Sequence, residues 1–160
     1  MNKLWAPWRK AYILSKPTKK CFICRIETSS QDRKHFVLKR TPHSFAVLNL
    51  FPYNNGHVMV IPNRHVGELE KLKDTELLDL MRLTNQIILR VKKVMKPHGV
   101  NVGINLERAA GAGVPGHLHV HIVPRWTGDT NFMPVIADTK ILSESLRSVY
   151  LRLRGNGSAK

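Results

Sequence analysis

Three histidines alternate with apolar residues at His117-Leu118-His119-Val120-His121. In a strand successive side chains face opposite ways, so the three imidazoles share one face while Leu118, Val120 and Ile122 turn to the core. Neighbours on one face stand about 6.5–7 Å apart. That is too far for direct hydrogen bonds along an extended strand. It is also too far for all three to reach one zinc ion, whose ligating nitrogens lie within roughly 3.5 Å of each other, so at most two share a metal. The remaining chemistry is phosphoryl transfer. A neutral imidazole attacks phosphorus with no proton to lose first, and neighbouring imidazoles donate to phosphate oxygens and to the leaving group.

The segment ahead of these histidines favours that chemistry. Arg108-Ala109-Ala110-Gly111-Ala112-Gly113-Val114-Pro115-Gly116 is built of small residues, which lets backbone N–H groups approach an anion. It contains G-x-G-x-x-G, yet the dinucleotide fingerprint needs a helix after the glycines, and here Pro115 and a strand follow. A second cluster is Cys21-Phe22-Ile23-Cys24. Arg25 stands where haem attachment requires histidine, and residues 10–40 show no βαβ pattern for a redox motif. A closed zinc site would need two further ligands. His35, His43 and His98 read as surface or turn residues.

These groups need elements to position them. Phe45–Leu48 and His57–Ile61 bracket a Pro52–Gly56 turn and predict a hairpin. Asp74 is the expected N-cap of a helix over 75–96, with Leu77, Met81, Thr84, Ile88, Val91 and Met95 as its apolar stripe and Pro97 and Gly99 as its stop. Strands are expected at 100–105 and 117–123, the second ended by Pro124, and Leu142, Leu146, Val149 and Leu153 mark a last helix. The order predicts an α+β fold with an antiparallel sheet. The chain of 160 residues reads as one domain, with residues 1–20 as an N-terminal arm and 155–160 as a tail.

Apolar residues make up 42% and charged residues 23%, which excludes a disordered chain. The net charge is +15, and residues 1–40 carry 11 basic against 2 acidic side chains, a net of +9. This implies an anionic partner: nucleotide phosphate, or nucleic acid on the basic surface. No export signal opens the chain and no apolar run reaches the roughly 18 residues of a membrane span. With two cysteines spaced for metal or redox use, a cytoplasmic home is expected.

The run His117-Leu118-His119-Val120-His121-Ile122-Val123 resembles the signature of the histidine-triad (HIT) family, and the resemblance extends over about residues 20–135. Phe45-Ala46-Val47-Leu48-Asn49 and Gly56-His57-Val58-Met59-Val60-Ile61-Pro62 resemble its first hairpin. The flanks, Leu4–Arg9 and Pro124–Pro134, resemble the bacterial branch assigned to diadenosine tetraphosphate phosphorylases and related hydrolases. The resemblance implies a five-stranded antiparallel sheet with two helices, commonly a homodimer with the long helix in the interface. It also implies that His119 attacks the α-phosphorus to form a nucleotidyl-histidine, with His121 and His57 completing the polar cluster. Asn49 then holds the ribose, Val47 and Leu48 lie near the base, and Asn105, Gly111, Ala112, Gly113 and Val114 belong to the phosphate loop. Many relatives carry Gln and Ser or Thr ahead of the triad where this loop has Ala112 and Gly113, so a hydroxyl grip on phosphate is missing. In zinc-containing members the two cysteines pair with a histidine after the second strand of the hairpin and with the first triad histidine, which implies a structural zinc on Cys21, Cys24, His65 and His117.

The expected activity is cleavage of dinucleoside polyphosphates, with phosphate or water as acceptor. Two alternatives accompany it. One is hydrolysis of adenylylated nucleic-acid ends or nucleoside phosphoramidates; the other is a zinc-stapled nucleic-acid-binding module without turnover.

Overall fold

A computed structural model describes residues 21–129, 136 and 142–155. The expected arm at 1–20 and residues 156–160 of the tail lie outside the described residues, as do residues 130–134 of the rear flank. In chain order the elements are α1 (Phe22–Glu27), α2 (Asp32–His35), β1 (Val37–Arg40), β2 (Ser44–Leu48), β3 (Val58–Pro62), α3 (Asp74–Met95), β4 (Gly99–Ile104), β5 (Val120–Arg125) and α4 (Leu146–Arg154). The strands form one antiparallel sheet in the order β1-β2-β3-β5-β4. The α+β class and the five-stranded sheet are as expected. Two long helices are present as the resemblance implied, joined among the described residues by the short α1 and α2.

Alternation along the strands divides the interior in two. Ala46, Leu48, Val58, Val60, Leu118, Val120 and Ile122 face α3 and α4 and form the main core with Leu80, Leu83, Ile87, Val91, Val149, Tyr150 and Leu153. On the other face Val37, Phe45, Val47 and Ile61 pack with Ile23 of α1. The register places Val37, Val47, Met59, His121 and Gly103 in one row across the sheet. The triad therefore occupies the face that α3 does not cover.

Three boundaries differ from expectation. Lys73, not Asp74, is the N-cap of α3, and its N–H donates to the Glu76 carboxylate at 2.9 Å. Of the expected stripe of α3, Thr84, Val91 and Met95 are buried and Ile88 packs against the core, joined there by Leu80, Leu83 and Ile87, whereas Leu77 and Met81 are 39% and 49% exposed. In its N-terminal half two apolar stripes lie side by side, and periodicity alone does not say which one meets the sheet. The β5 ladder begins at Val120 and runs through Pro124 to Arg125. Proline is tolerated there because β3 pairs no further than Ile122. The Pro124 carbonyl accepts from Asn54 Nδ2 at 3.0 Å, so its nitrogen faces a side where the ladder has ended.

The β2–β3 turn is pinned to the end of α3. Gly56 has φ +75°, and a β-carbon there would fall 2.4 Å from Met95 Sδ. Only glycine satisfies both conditions.

Candidate functional site

His117, His119 and His121 alternate with core residues as expected, and all three are buried. Their surroundings give each ring a different task. His117 Nε2 donates to the Pro62 carbonyl at 2.9 Å. Its Nδ1 then points away from β3, 3.6 Å from both Cys21 Sγ and Cys24 Sγ. His65 Nδ1 lies 3.3 Å from Cys24 Sγ, and one ligand atom from each of the four residues falls within 4.8 Å of the others. Zn–S bonds of about 2.3 Å and Zn–N bonds of about 2.0–2.1 Å at tetrahedral angles give an S···N edge of about 3.6 Å. The S₂N₂ set therefore fits one tetrahedral ion, and the Pro62 contact fixes the tautomer that leaves Nδ1 as ligand.

The ligands come from three places: the N-terminal end of α1, the segment after β3, and the approach to β5. Arg64 holds the second of these by a two-pronged bond to Glu76 at 2.8 and 2.7 Å. Arg64 beside it, with the Lys73 amide, holds the Glu76 carboxyl down at about 2. Gly67 lets the glycine loop close onto the same segment, since a β-carbon there would lie 2.5 Å from the Pro115 carbonyl oxygen.

His119 is oriented by its own strand. Its Nδ1 donates to the His117 carbonyl at 2.8 Å. That bond assigns the proton to Nδ1 and leaves the Nε2 lone pair without a partner among the described residues.

A directional chain fixes the remaining rings. The Tyr53 backbone N–H donates to His57 Nδ1 at 3.1 Å, which makes that nitrogen an acceptor. His57 Nε2 therefore carries the proton and donates to His121 Nδ1 at 2.9 Å. By the same logic His121 holds its proton on Nε2, a buried atom with no partner among the described residues. Both rings are neutral. Burial, reinforced by the repulsion a protonated ring meets from neighbouring imidazoles when they too take up protons, pushes His57 down to about 3 and His121 down to about 4. Burial also lowers His117. The cluster thus presents the open Nε2 of a His119 ring held through its Nδ1 and a buried N–H on His121, on rings whose centroids are 4.8 Å apart.

The glycine loop is only partly free to hold an anion. The Gly111 and Ala112 amides donate to the Arg108 and Glu107 carbonyls at 3.0 and 3.1 Å, closing the loop's own turn. Among the described residues the Gly113 and Val114 amides have no acceptor. Asn105 faces this loop, its Nδ2 3.8 Å from where a Gly111 β-carbon would stand.

A HIT domain is recognised over residues 30–128. The chain belongs to the HIT domain family. An AP-4-A phosphorylase of Mycobacterium tuberculosis is 41% identical over 155 residues, covering 92% of this chain and 80% of that protein. A bis(5'-nucleosyl)-tetraphosphatase (asymmetrical) of Schizosaccharomyces pombe is 38% identical over 116 residues, covering 72% of this chain and 63% of that protein. The fold is shared with a hypothetical histidine triad nucleotide-binding protein from Sulfolobus tokodaii, at TM-score 0.65 and 27% identity over 84% of this chain and 87% of that one. A zinc-bound histidine triad family protein of Mycobacterium smegmatis has the same fold, at TM-score 0.68 and 24% identity over 84% and 91% of the two chains.

Within this HIT protein one expected base neighbour is displaced. Leu48 lies in the main core beside Val58 and Ile122, on the face away from the histidines, because adjacent strand residues cannot share a face. Val47 lies on the triad face, in the row of Met59 and His121. Asn49 is buried at the end of β2, where its Oδ1 accepts from the Phe51 amide at 2.9 Å and its Nδ2 lies 3.3 Å from His57 Nδ1.

Two residues at the cluster escape sequence reasoning. Tyr53 sits in the hairpin turn, where its residue type signals nothing; only its position four residues before His57 hints at contact. Gly103 faces His121 across β4–β5, and a β-carbon there would meet nothing within 4 Å.

Proposed function

We propose that this HIT protein cleaves dinucleoside polyphosphates by nucleotidyl transfer through His119, with phosphate as the favoured acceptor. The observation that carries the reading is the pairing of a His119 ring held through its Nδ1, with Nε2 left open, and a His121 N–H that has no partner among the described residues. The His119 lone pair attacks the α-phosphorus, a P–N bond forms, and the bond from phosphorus to the bridging oxygen breaks. The departing nucleoside polyphosphate is stable as an anion at neutral pH, so it needs a hydrogen-bond donor rather than a full proton transfer. His121 Nε2–H supplies that bond while staying neutral. The Gly113 and Val114 amides face the growing charge on the non-bridging oxygens. Inorganic phosphate then displaces His119 from the nucleotidyl group, giving a nucleoside diphosphate; water in its place gives the monophosphate. The 41% identical AP-4-A phosphorylase supports phosphate as acceptor.

Zinc is the ion proposed for Cys21, Cys24, His65 and His117, on the strength of two cysteines and two histidines whose ligand atoms lie within 4.8 Å of one another. It lends no atom to the reaction. By anchoring His117 it steadies the carbonyl that orients His119. A homodimer through the outward stripe of α3 completes the proposal, supported by Leu77, Leu78, Met81 and Leu89, which are 39–59% exposed.

The test is incubation with diadenosine tetraphosphate with and without inorganic phosphate. ADP and ATP form together only when phosphate is added. AMP formation at the same rate in both conditions makes the protein a hydrolase instead.

A further inference from the structure

Tyr53 touches the histidine cluster with a ring that is nonetheless 54% exposed. Its centroid lies 5.6 Å from that of His121 with the planes 26° apart, and 4.6 Å from that of His57 at 45°. The backbone under it is held on both sides. Its own N–H is tied to His57, and the next residue, Asn54, is buried and donates to the Pro124 carbonyl and to Asp129 at 3.0 and 2.8 Å. The ring is therefore fixed with one face on an imidazole and the other turned to solvent.

Nothing in the histidine chain requires that ring. The bond that sets the His57 tautomer comes from the main chain and is available to any residue except proline. A large aromatic left half in water beside a reactive cluster is better placed to meet a ligand than to support the fold. Its position selects which end of a ligand it meets. Tyr53 stacks on His121, whose Nε2–H has no partner among the described residues. His119 meets His121 edge-on at 73°, and among the described residues it makes no ring contact with Tyr53. Tyr53 thus stands on the leaving-group side of the cluster, away from the attacking nitrogen. Every base offers a π-face to an aromatic ring.

We infer that Tyr53 stacks the base of the departing nucleotide, so that the site prefers phosphate chains with a nucleoside at both ends over those with one. This rests on the function proposed above and adds a second base subsite to it.

The measurement uses His119→Asn protein, which cannot turn substrate over, with diadenosine tetraphosphate and adenosine 5'-tetraphosphate as equilibrium ligands. The two differ by one nucleoside. The expected result is tighter binding of the dinucleotide, with the ratio of the two dissociation constants falling about tenfold when Tyr53→Ala is added. Tyr53→Leu, which keeps apolar bulk without a π-face, lowers the ratio similarly, and Tyr53→Phe recovers it. An unchanged ratio in Tyr53→Ala, or a ratio kept by Tyr53→Leu, overturns the second subsite while leaving the proposed function standing. Failure of the parent His119→Asn protein to bind either ligand overturns both.

Discussion

His121 takes the position of its proton from a backbone amide that it does not touch. The Tyr53 N–H makes His57 Nδ1 an acceptor, His57 Nε2–H donates to His121 Nδ1, and His121 is left with a buried N–H that has no acceptor among the described residues. Sequence reasoning finds the residue types here, since three histidines at alternate positions are unusual in a strand, and the family resemblance adds His57. It does not find the polarity of the chain, because a tautomer depends on turn geometry that no spacing encodes. Strand alternation alone separates Val47 from Leu48, a distinction that the family resemblance blurred. Neutral, buried imidazoles also have a thermodynamic consequence. His57 and His121 drop from 6.5 to about 3 and about 4, so between those values and pH 6.5 the unfolded chain binds more protons than the folded one. Their contribution is fully present above pH 6.5 and is lost as pH falls through the folded values, on the order of a few kcal/mol in total. Urea unfolding from pH 7 to pH 4 should show this slope, and His57→Asn should flatten it. An equal slope in the variant assigns the loss to other groups.

Helix α3 shows how far periodicity reaches and where it stops. Its existence, length and C-terminal stop are legible from apolar spacing, clustered lysines and Pro97; Lys96 closes it in the left-handed region at φ 51°. The C-terminal half of the core face is legible, since Thr84, Val91 and Met95 are buried, but its N-terminal half is not, because Leu77 and Met81 recur as regularly as Leu80 and Leu83. Leu83 is fully buried, so Leu83→Ala should cost about 2–5 kcal/mol, whereas Met81→Ala should stay within about 0.5 kcal/mol for the isolated chain. Comparable losses at both sites would reverse the assignment of faces. The metal cluster draws on three separate segments, and a C-x-x-C by itself could not nominate His65 or His117; the family pattern did. With zinc bound, Cys24→Ala should remove about one equivalent of metal per chain and lower the melting temperature by at least about 5 °C. Full zinc content in that variant would rule out the four-ligand site.

For the molecule as a whole, one sheet separates two jobs: α3 and α4 close the core on one face, and the histidines and the Cys/His cluster occupy the other. The α+β class was legible because strand and helix periods alternate along the chain. Strand β1 and helices α1 and α2 were not, since four to six residues are too few to carry a period. Among the described residues no helix is long and apolar enough to cross a membrane. The outward stripe of α3 should place two chains together in solution, and Met81→Glu should shift the sedimenting species from dimer to monomer; a wild-type monomer at micromolar concentration contradicts that assembly. The proposed function depends on His119 forming a bond to phosphorus. Intact-protein mass spectrometry after mixing with diadenosine tetraphosphate in the absence of phosphate tests this directly. The result expected is an added AMP that maps to His119, disappears when phosphate is supplied, and never forms on His119→Ala. An adduct on another residue, or turnover by His119→Ala at the wild-type rate, would contradict it.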